Sequence, residues 1–226
     1  MKKSYEKKAV VIISGGMDSS LCAYMIKAQG YEIVAVHCNY AQRTEQKELE
    51  AFRAICDDLG VAAKYELDIG FFKHLGASAL TDFDIEVPTN GLEEGVPVTY
   101  VPFRNGIFLS MAAAIAEKEK ATLIGIGVVE EDSSGYPDCR EEYIKAMQKA
   151  INLGTKEETN ITIAMPLVHL KKAQIVQEAL KYKVPLEKTW SCYQSNEKAC
   201  GVCDSCRLRL KGFSKAGVND PIPYSI

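Results

Sequence analysis

Apolar and polar positions change period repeatedly along the first third of the chain. Ala9–Ile13 is an unbroken apolar, β-branched run, the pattern of a strand covered on both faces. From Asp18 to Gln29 the apolar residues Leu21, Cys22, Met25 and Ile26 form one helical stripe, and Gly30 follows where a helix commonly ends. Ile33–Cys38 predicts a second strand. Thr44–Leu59 predicts a second helix, through Leu49, Phe52, Ile55, Cys56 and Leu59, stopped by Gly60, and Ala62–Leu67 predicts a third strand. This switching between periods of 2 and 3.6 is the signature of a βαβαβ unit.

Between Thr81 and Arg104 the periodicity stops. The stretch holds three prolines, two glycines and five carboxylates, and so long an irregular segment in a compact domain predicts a loop over a site. Helical spacing returns at Asn105–Lys118 through Ile107, Phe108, Met111, Ala112 and Ile115. Leu123–Val128 then predicts a strand, and Cys139–Asn152 and Lys171–Lys181 predict helices. The expected fold class is α/β: an open, mostly parallel sheet of five or six strands with helices on both faces. It would occupy residues 1–185, and a small cysteine-rich module would occupy 186–226.

Composition narrows the function classes. The 226 residues carry 27 Lys plus Arg against 30 Asp plus Glu, a net charge of -3, with 47% hydrophobic residues. A basic surface for bulk nucleic-acid binding is not expected from that balance. From Leu186 onward six basic residues face four acidic ones, an excess of +2, too little for an RNA surface. The six-residue apolar run after the first lysines lacks a cleavage-site pattern, and no stretch approaches the length of a membrane span. A cytoplasmic protein with reduced thiols is expected, although it has eight cysteines.

Ser14-Gly15-Gly16-Met17-Asp18-Ser19-Ser20 lies between the first strand and first helix. Adjacent glycines let successive N–H groups turn inward, and the following helix adds its unpaired N–H groups and positive end. Ser14, Ser19 and Ser20 add hydroxyls. Neither the G-x-x-x-x-G-K-[ST] loop nor the G-x-G-x-x-G loop is present. An acid in an anion nest needs a mediating cation, so Asp18 points to phosphate-bound Mg²⁺. The same residues would also serve an ordinary turn with Asp18 as a helix cap. The second strand runs into Tyr40 and Arg43, near the ligand side of a parallel sheet. Tyr40 would stack or pack, and Arg43 would hold a charge or lie in solvent.

Cys192, Cys200, Cys203 and Cys206 read C-x7-C-x2-C-x2-C. Four thiolates without a histidine favour Zn²⁺ in a closed structural site, one ion per chain. An iron–sulfur run would continue x3-C-P, and none follows. Cys22 and Cys56 fall on apolar helix faces, and Cys139 lies beside a strand end.

SGGxDS over Ser14–Ser19 is the motif of the PP-loop ATP pyrophosphatases. Val101-Pro102-Phe103-Arg104-Asn105, Ser134-Gly135-Tyr136-Pro137-Asp138-Cys139-Arg140, and Thr189–Tyr193 leading into the cysteines add selectivity. Together, over about Lys8–Ala216, the chain resembles the 7-cyano-7-deazaguanine (preQ0) synthase family. The resemblance implies the adenine nucleotide alpha hydrolase-like fold, homodimers and a carbon–nitrogen ligase of queuosine biosynthesis. Its reaction would join 7-carboxy-7-deazaguanine and ammonia into a nitrile with ATP. It implies nucleotide contacts along Ile13, Ser14, Gly15, Gly16, Met17, Asp18, Ser19, Ser20, Leu21, Cys22 and Ala23. Asp18, Arg104 and Lys172 would be catalytic. Tyr40, Arg43, Arg104, Asn105, Tyr136, Asp138 and Arg140 would meet the acid. Arg104 would fork onto a carboxylate or phosphate, Tyr136 would stack, and Asp138 would accept from the amino edge of a guanine-like base. A surface ion pair for Arg104, a turn with Asp138 as cap, and a solvated Lys172 are the plainer alternatives. The family commonly has Gly at positions 41 and 103 and His at 44, where this chain has Ala41, Phe103 and Thr44. Those departures leave open a related ligase acting on another base acid. A nucleotide-binding adaptor without turnover is the non-enzymatic alternative.

Overall fold

The computed structural model describes residues 7–91, 95–130 and 135–226. Ser134 of the Ser134–Arg140 motif and residues 92–94 of the long loop lie outside them. Five strands form one sheet: β1 (Lys8–Ile12), β2 (Glu32–Asn39), β3 (Ala63–Asp68), β4 (Leu123–Gly125) and β5 (Thr162–Ala164). Their order is β3-β2-β1-β4-β5, and every pairing is parallel. The helices are α1 (Met17–Ala28), α2 (Glu45–Leu59), the single turn α3 (Phe72–Leu75), α4 (Arg104–Glu119), α5 (Glu141–Gly154), α6 (Lys172–Lys181) and α7 (Asp204–Ala216).

Side-chain alternation assigns each strand residue to one helical layer. Val10, Ile12, Val34, Val36 and Ile124 pack with Leu109, Ala112 and Ala116 of α4 and Ile144 of α5. Ala9, Val11, Ile13, Ile33 and Ala35 face the opposite way, onto Leu21 and Ile26 of α1, Phe52 and Ile55 of α2, and Val176 of α6. The continuous apolar runs in β1 and β2 are therefore needed on both faces. α2 ends as its sequence predicts: Gly60 is left-handed at φ 62°, and its N–H donates to the Cys56 carbonyl at 2.9 Å.

The differences from the sequence reading are local. β4 stops at Gly125 rather than Val128, although the Ile126 N–H still donates to the Ala164 carbonyl at 3.0 Å, and Gly127 beyond it packs against the start of α1. A Cβ on Gly127 would lie 2.8 Å from the Ser19 backbone. Pro137–Cys139 forms a 3₁₀ turn, and α5 starts only at Glu141 after the extended Arg140. β5, α3 and α7 were not anticipated. The described part of Thr81–Arg104 is irregular but tied down. Arg43 donates to the carbonyls of Ala79, Asp82 and Ile85, and the Ala79 N–H donates to the Val98 carbonyl at 2.8 Å. The Arg207 guanidinium donates to the Thr89 carbonyl.

The segment after residue 185 is packed into the body of the protein. Phe213 of α7 shares a buried cluster with Ile175 and Val176 of α6, and Trp190, Cys192, Cys203 and Cys206 cluster with Ala51, Ala79 and Val87. Arg209 of α7, 2% exposed, pairs with Asp220 through Nε at 2.7 Å and Nη2 at 2.9 Å, and the Tyr224 hydroxyl donates to the same carboxylate at 2.6 Å. Removing one member of such a pair strands the other charge. Asp220→Ala is expected to lower unfolding free energy by about 3–5 kcal/mol, read from urea denaturation. A loss under about 1 kcal/mol would show that solvent reaches Arg209 readily.

Candidate active site

A cavity of about 260 Å³ opens over the carboxyl ends of β1, β2 and β4. It lies where the strand order reverses between β1 and β4, the position at which open parallel sheets bind ligands.

One end is built by the glycine loop. Gly15 has φ 85°, and a Cβ there would lie 2.6 Å from the Glu48 carbonyl oxygen and 2.9 Å from Phe52 N, so only glycine allows the turn to press on α2. The Gly15 carbonyl accepts the Trp190 N–H at 2.9 Å. Ser14 and Ser19 brace the loop internally: their hydroxyls lie 3.0 Å apart, and Ser19 Oγ also accepts the Ser14 N–H at 3.1 Å. No side chain caps α1, whose N-terminal residues Met17, Asp18 and Ser19 line the cavity. The helix therefore presents uncapped N–H groups and its positive end there. Lys172, at the first turn of α6, places Nζ 2.7 Å from Asp18 Oδ2, while Asp18 Oδ1 is buried with no partner.

The other end holds a cation among aromatic rings. The Arg104 guanidinium lies 5.2 Å from the Tyr40 ring centre, 5.8 Å from Tyr136 and 5.9 Å from Phe108, all cation–π distances. Its Nη1 donates to the Tyr40 hydroxyl at 2.9 Å, and its buried Nε has no partner. Burial opposes the charge, but Tyr40, Tyr136, Tyr193 and Asp138 outweigh it and keep Arg104 cationic. Asp138 Oδ2 accepts the Asn105 N–H at 2.9 Å, capping α4 from another element, and its Oδ1 is buried without a partner. Asn105 Nδ2 reaches the Cys139 sulfur at 3.3 Å. Burial pushes the Cys139 thiol up to about 12, so it stays protonated and is not poised as a nucleophile.

The site residues expected from sequence divide by location. Ile13, Ser14, Gly16, Met17, Asp18, Ser19, Tyr40, Arg104, Asn105, Tyr136 and Lys172 line the cavity. Gly15 and Ser20 shape the loop from behind it, Ser20 Oγ donating to the Gly16 carbonyl at 2.8 Å. Asp138 stands behind Asn105. Leu21, Cys22 and Ala23 do not reach the cavity: they are fully buried in the α1–α2–α6 core, since the helix axis carries them away. Arg43 spends its donors on the long loop, and Arg140 is an exposed residue at the start of α5. Phe103 is 50% exposed, rests edge-on against Tyr143, and is not a cavity wall. Ala41 and Phe103 have φ 61° and 56°, left-handed values that glycine would adopt without strain.

The cavity residues that were missed include Glu48, Trp190, Tyr193 and Arg209. Glu48 Oε1 accepts the Thr44 hydroxyl at 2.7 Å and Oε2 accepts Gln42 Nε2 at 3.0 Å. Burial pushes this carboxyl up to about 7, against weaker opposition from those two donors.

The four cysteines converge, with every pair of sulfurs within 4.8 Å, close enough to share a single ion. Main-chain N–H groups of Gln194 and Cys200 point at the Cys192 sulfur, at 3.4 and 3.3 Å. Without a cation the cluster cannot ionise fully: hydrogen bonding with Cys192 and Cys203 holds the Cys206 thiol far above its usual range. This group is placed to hold a metal ion. Among the described residues no helix is long and apolar enough to cross a membrane.

The model of the Queuosine biosynthesis protein QueC family matches residues 8–217. The chain belongs to the QueC family. It is 66% identical over 224 residues to a 7-cyano-7-deazaguanine synthase of Aliarcobacter butzleri (strain RM4018), covering 99% of this chain and 98% of that one. It is 69% identical over 218 residues to another from Sulfurovum sp. (strain NBC37-1), covering 96% and 98%. Among solved structures, a predicted subunit of a tRNA methyltransferase from Methanocaldococcus jannaschii shares the fold, with TM-score 0.52 and 14% identity over 95% of this chain and 90% of that one.

A carboxyl that desolvation pushes up to about 7 favours the fold fully below its unfolded value, loses that contribution as pH rises from there through 7, and changes little beyond. Glu48→Gln is therefore expected to stabilise the fold by about 2–3 kcal/mol at pH 8.5, with the gain vanishing towards pH 4.5. Denaturant melts of both proteins at the two pH values test this. A gain independent of pH would contradict it.

Proposed function

We propose that this QueC-family ligase joins 7-carboxy-7-deazaguanine and ammonia at the expense of ATP, releasing 7-cyano-7-deazaguanine for queuosine biosynthesis. The carrying observation is the 66% identity with a 7-cyano-7-deazaguanine synthase over 99% of this chain. The cavity supports the reading because its two ends suit two ligands.

A carboxylate resists ammonia because its oxygen leaves poorly. Adenylation converts that oxygen into part of a phosphate leaving group, and ammonia then gives an amide. Removing the amide oxygen needs a second activation, hence a second ATP. In this reading the Ser14–Ser19 loop and the α1 N-terminus hold the phosphates, and Lys172 offsets charge on the reacting phosphate. Asp18, with Oδ1 unpartnered, fits Mg²⁺, which would screen the phosphate oxygens. Arg104 holds the acid's carboxylate, and the Tyr40 and Tyr136 rings bound its flat base. The four sulfurs fit a structural Zn²⁺ that fixes the 190–193 wall of the cavity. We take the working unit to be a cytoplasmic homodimer acting on small molecules without binding nucleic acid directly.

Incubation with ATP, Mg²⁺, ammonia and the acid should yield the nitrile together with AMP and pyrophosphate, followed by mass spectrometry. Asp18→Asn should lower the rate by about 100-fold or more while leaving the circular dichroism spectrum unchanged. AMP release without a nitrile would refute the reading. Metal analysis should find about one zinc per chain, lost in Cys203→Ser together with much of the thermal stability. An iron-loaded, coloured protein would overturn the zinc assignment.

A further inference from the structure

Taking the site as the ammonia-consuming ligase proposed above, we propose that Glu48 is the ammonium-binding residue and the proton acceptor that frees ammonia for attack. Ammonia exists in neutral water almost entirely as ammonium, which has no lone pair to donate. A site that uses it needs a group that holds the cation and takes its proton.

Few cavity groups qualify. Asp18 is already paired with Lys172. Cys139 and Cys38 are held protonated by burial, each pushed up to about 12. Tyr40 is likewise pushed up by burial. Glu48 remains. Its hydrogen bonds come from two neutral donors, one on each oxygen, so the carboxylate is held in one orientation with acceptor capacity left over. Gln42 is fixed in turn, since its Oε1 accepts the Tyr40 N–H at 2.9 Å. The charged and titratable groups acting on Glu48 are Arg104 from α4, Tyr40 beyond β2 and Glu45 on its own helix. Arg104 favours the ionised form and Glu45 opposes it, while burial brings the carboxyl to about 7, suited to accepting a proton near neutrality.

The step balances simply. Ammonium gives one proton to the Glu48 carboxylate, leaving ammonia and a neutral carboxyl. The nitrogen lone pair forms the C–N bond at the adenylated carbonyl carbon, and the C–O bond to phosphate breaks with its electron pair leaving on AMP. The second N–H proton lost on the way to the amide passes to solvent.

The test is the pH dependence of kcat/KM for total ammonia in the parent and in Glu48→Gln. The parent should rise through about pH 7 and then flatten as Glu48 ionises. Glu48→Gln should be about 100-fold slower at pH 7 and recover steadily with pH as free ammonia accumulates. Pyrophosphate release from ATP and the acid without ammonia should change less than about three-fold, as expected if Glu48 serves only the ammonia step. Glu48→Asp, which keeps the charge but withdraws it, should fall between the two and serves if the glutamine variant does not fold. Equal losses in both reactions, or a parent-like pH profile in Glu48→Gln, would overturn the assignment. A parent enzyme that makes no nitrile would instead refute the function itself.

Discussion

The close approach of Gly15 to α2 is the contact on which the rest of the site depends. The loop after β1 fits between that helix and residue 190 because the turn has no side chain. This one position fixes three things at once: the α1 N-terminus at the cavity, α2 with Glu48 beside it, and the cysteine segment across the opening. The cysteine cluster and the glycine loop thus share a wall. In this account the cysteines matter to catalysis through that wall, with no chemistry of their own.

Electrostatic opposition organises the cavity. At one end the helix dipole, the loop N–H groups and Lys172 favour phosphate, with Asp18 left one oxygen for a cation. At the other, Arg104 is kept charged among aromatic faces, where water is scarce and a carboxylate partner would count for more than at a surface. Asp18 Oδ1, Arg104 Nε and Asp138 Oδ1 are buried without a protein partner, a cost that a bound ligand can offset.

Much of this was legible in the residues. The βαβαβ opening reads within about a residue at most boundaries because both faces of β1 and β2 are buried, leaving no ambiguity of period. The four cysteines were legible because metal geometry demands a spacing. β5 was missed because three residues carry too little pattern. α7 was missed because its inward stripe contains cysteine and the buried Arg209, which disguises it as a polar tail. Glu48 escaped notice because the stripe of α2 was read from apolar residues alone, although Glu48 lies one turn before Phe52 on the same side. Arg43, expected at the substrate, serves the long loop instead. Its carbonyl partners lie some forty residues away, and no local pattern marks such a contact.

The central claim is that nucleotide and acid meet across the junction of β1 and β4. A crystal structure with a non-hydrolysable ATP analogue, Mg²⁺ and the acid tests it most directly. The account predicts the β- and γ-phosphates on the Ser14–Ser19 loop, the metal against Asp18, and the acid's carboxylate between Arg104 and the α-phosphate. A nucleotide bound away from that loop, or an acid whose carboxylate points away from Arg104, would contradict it.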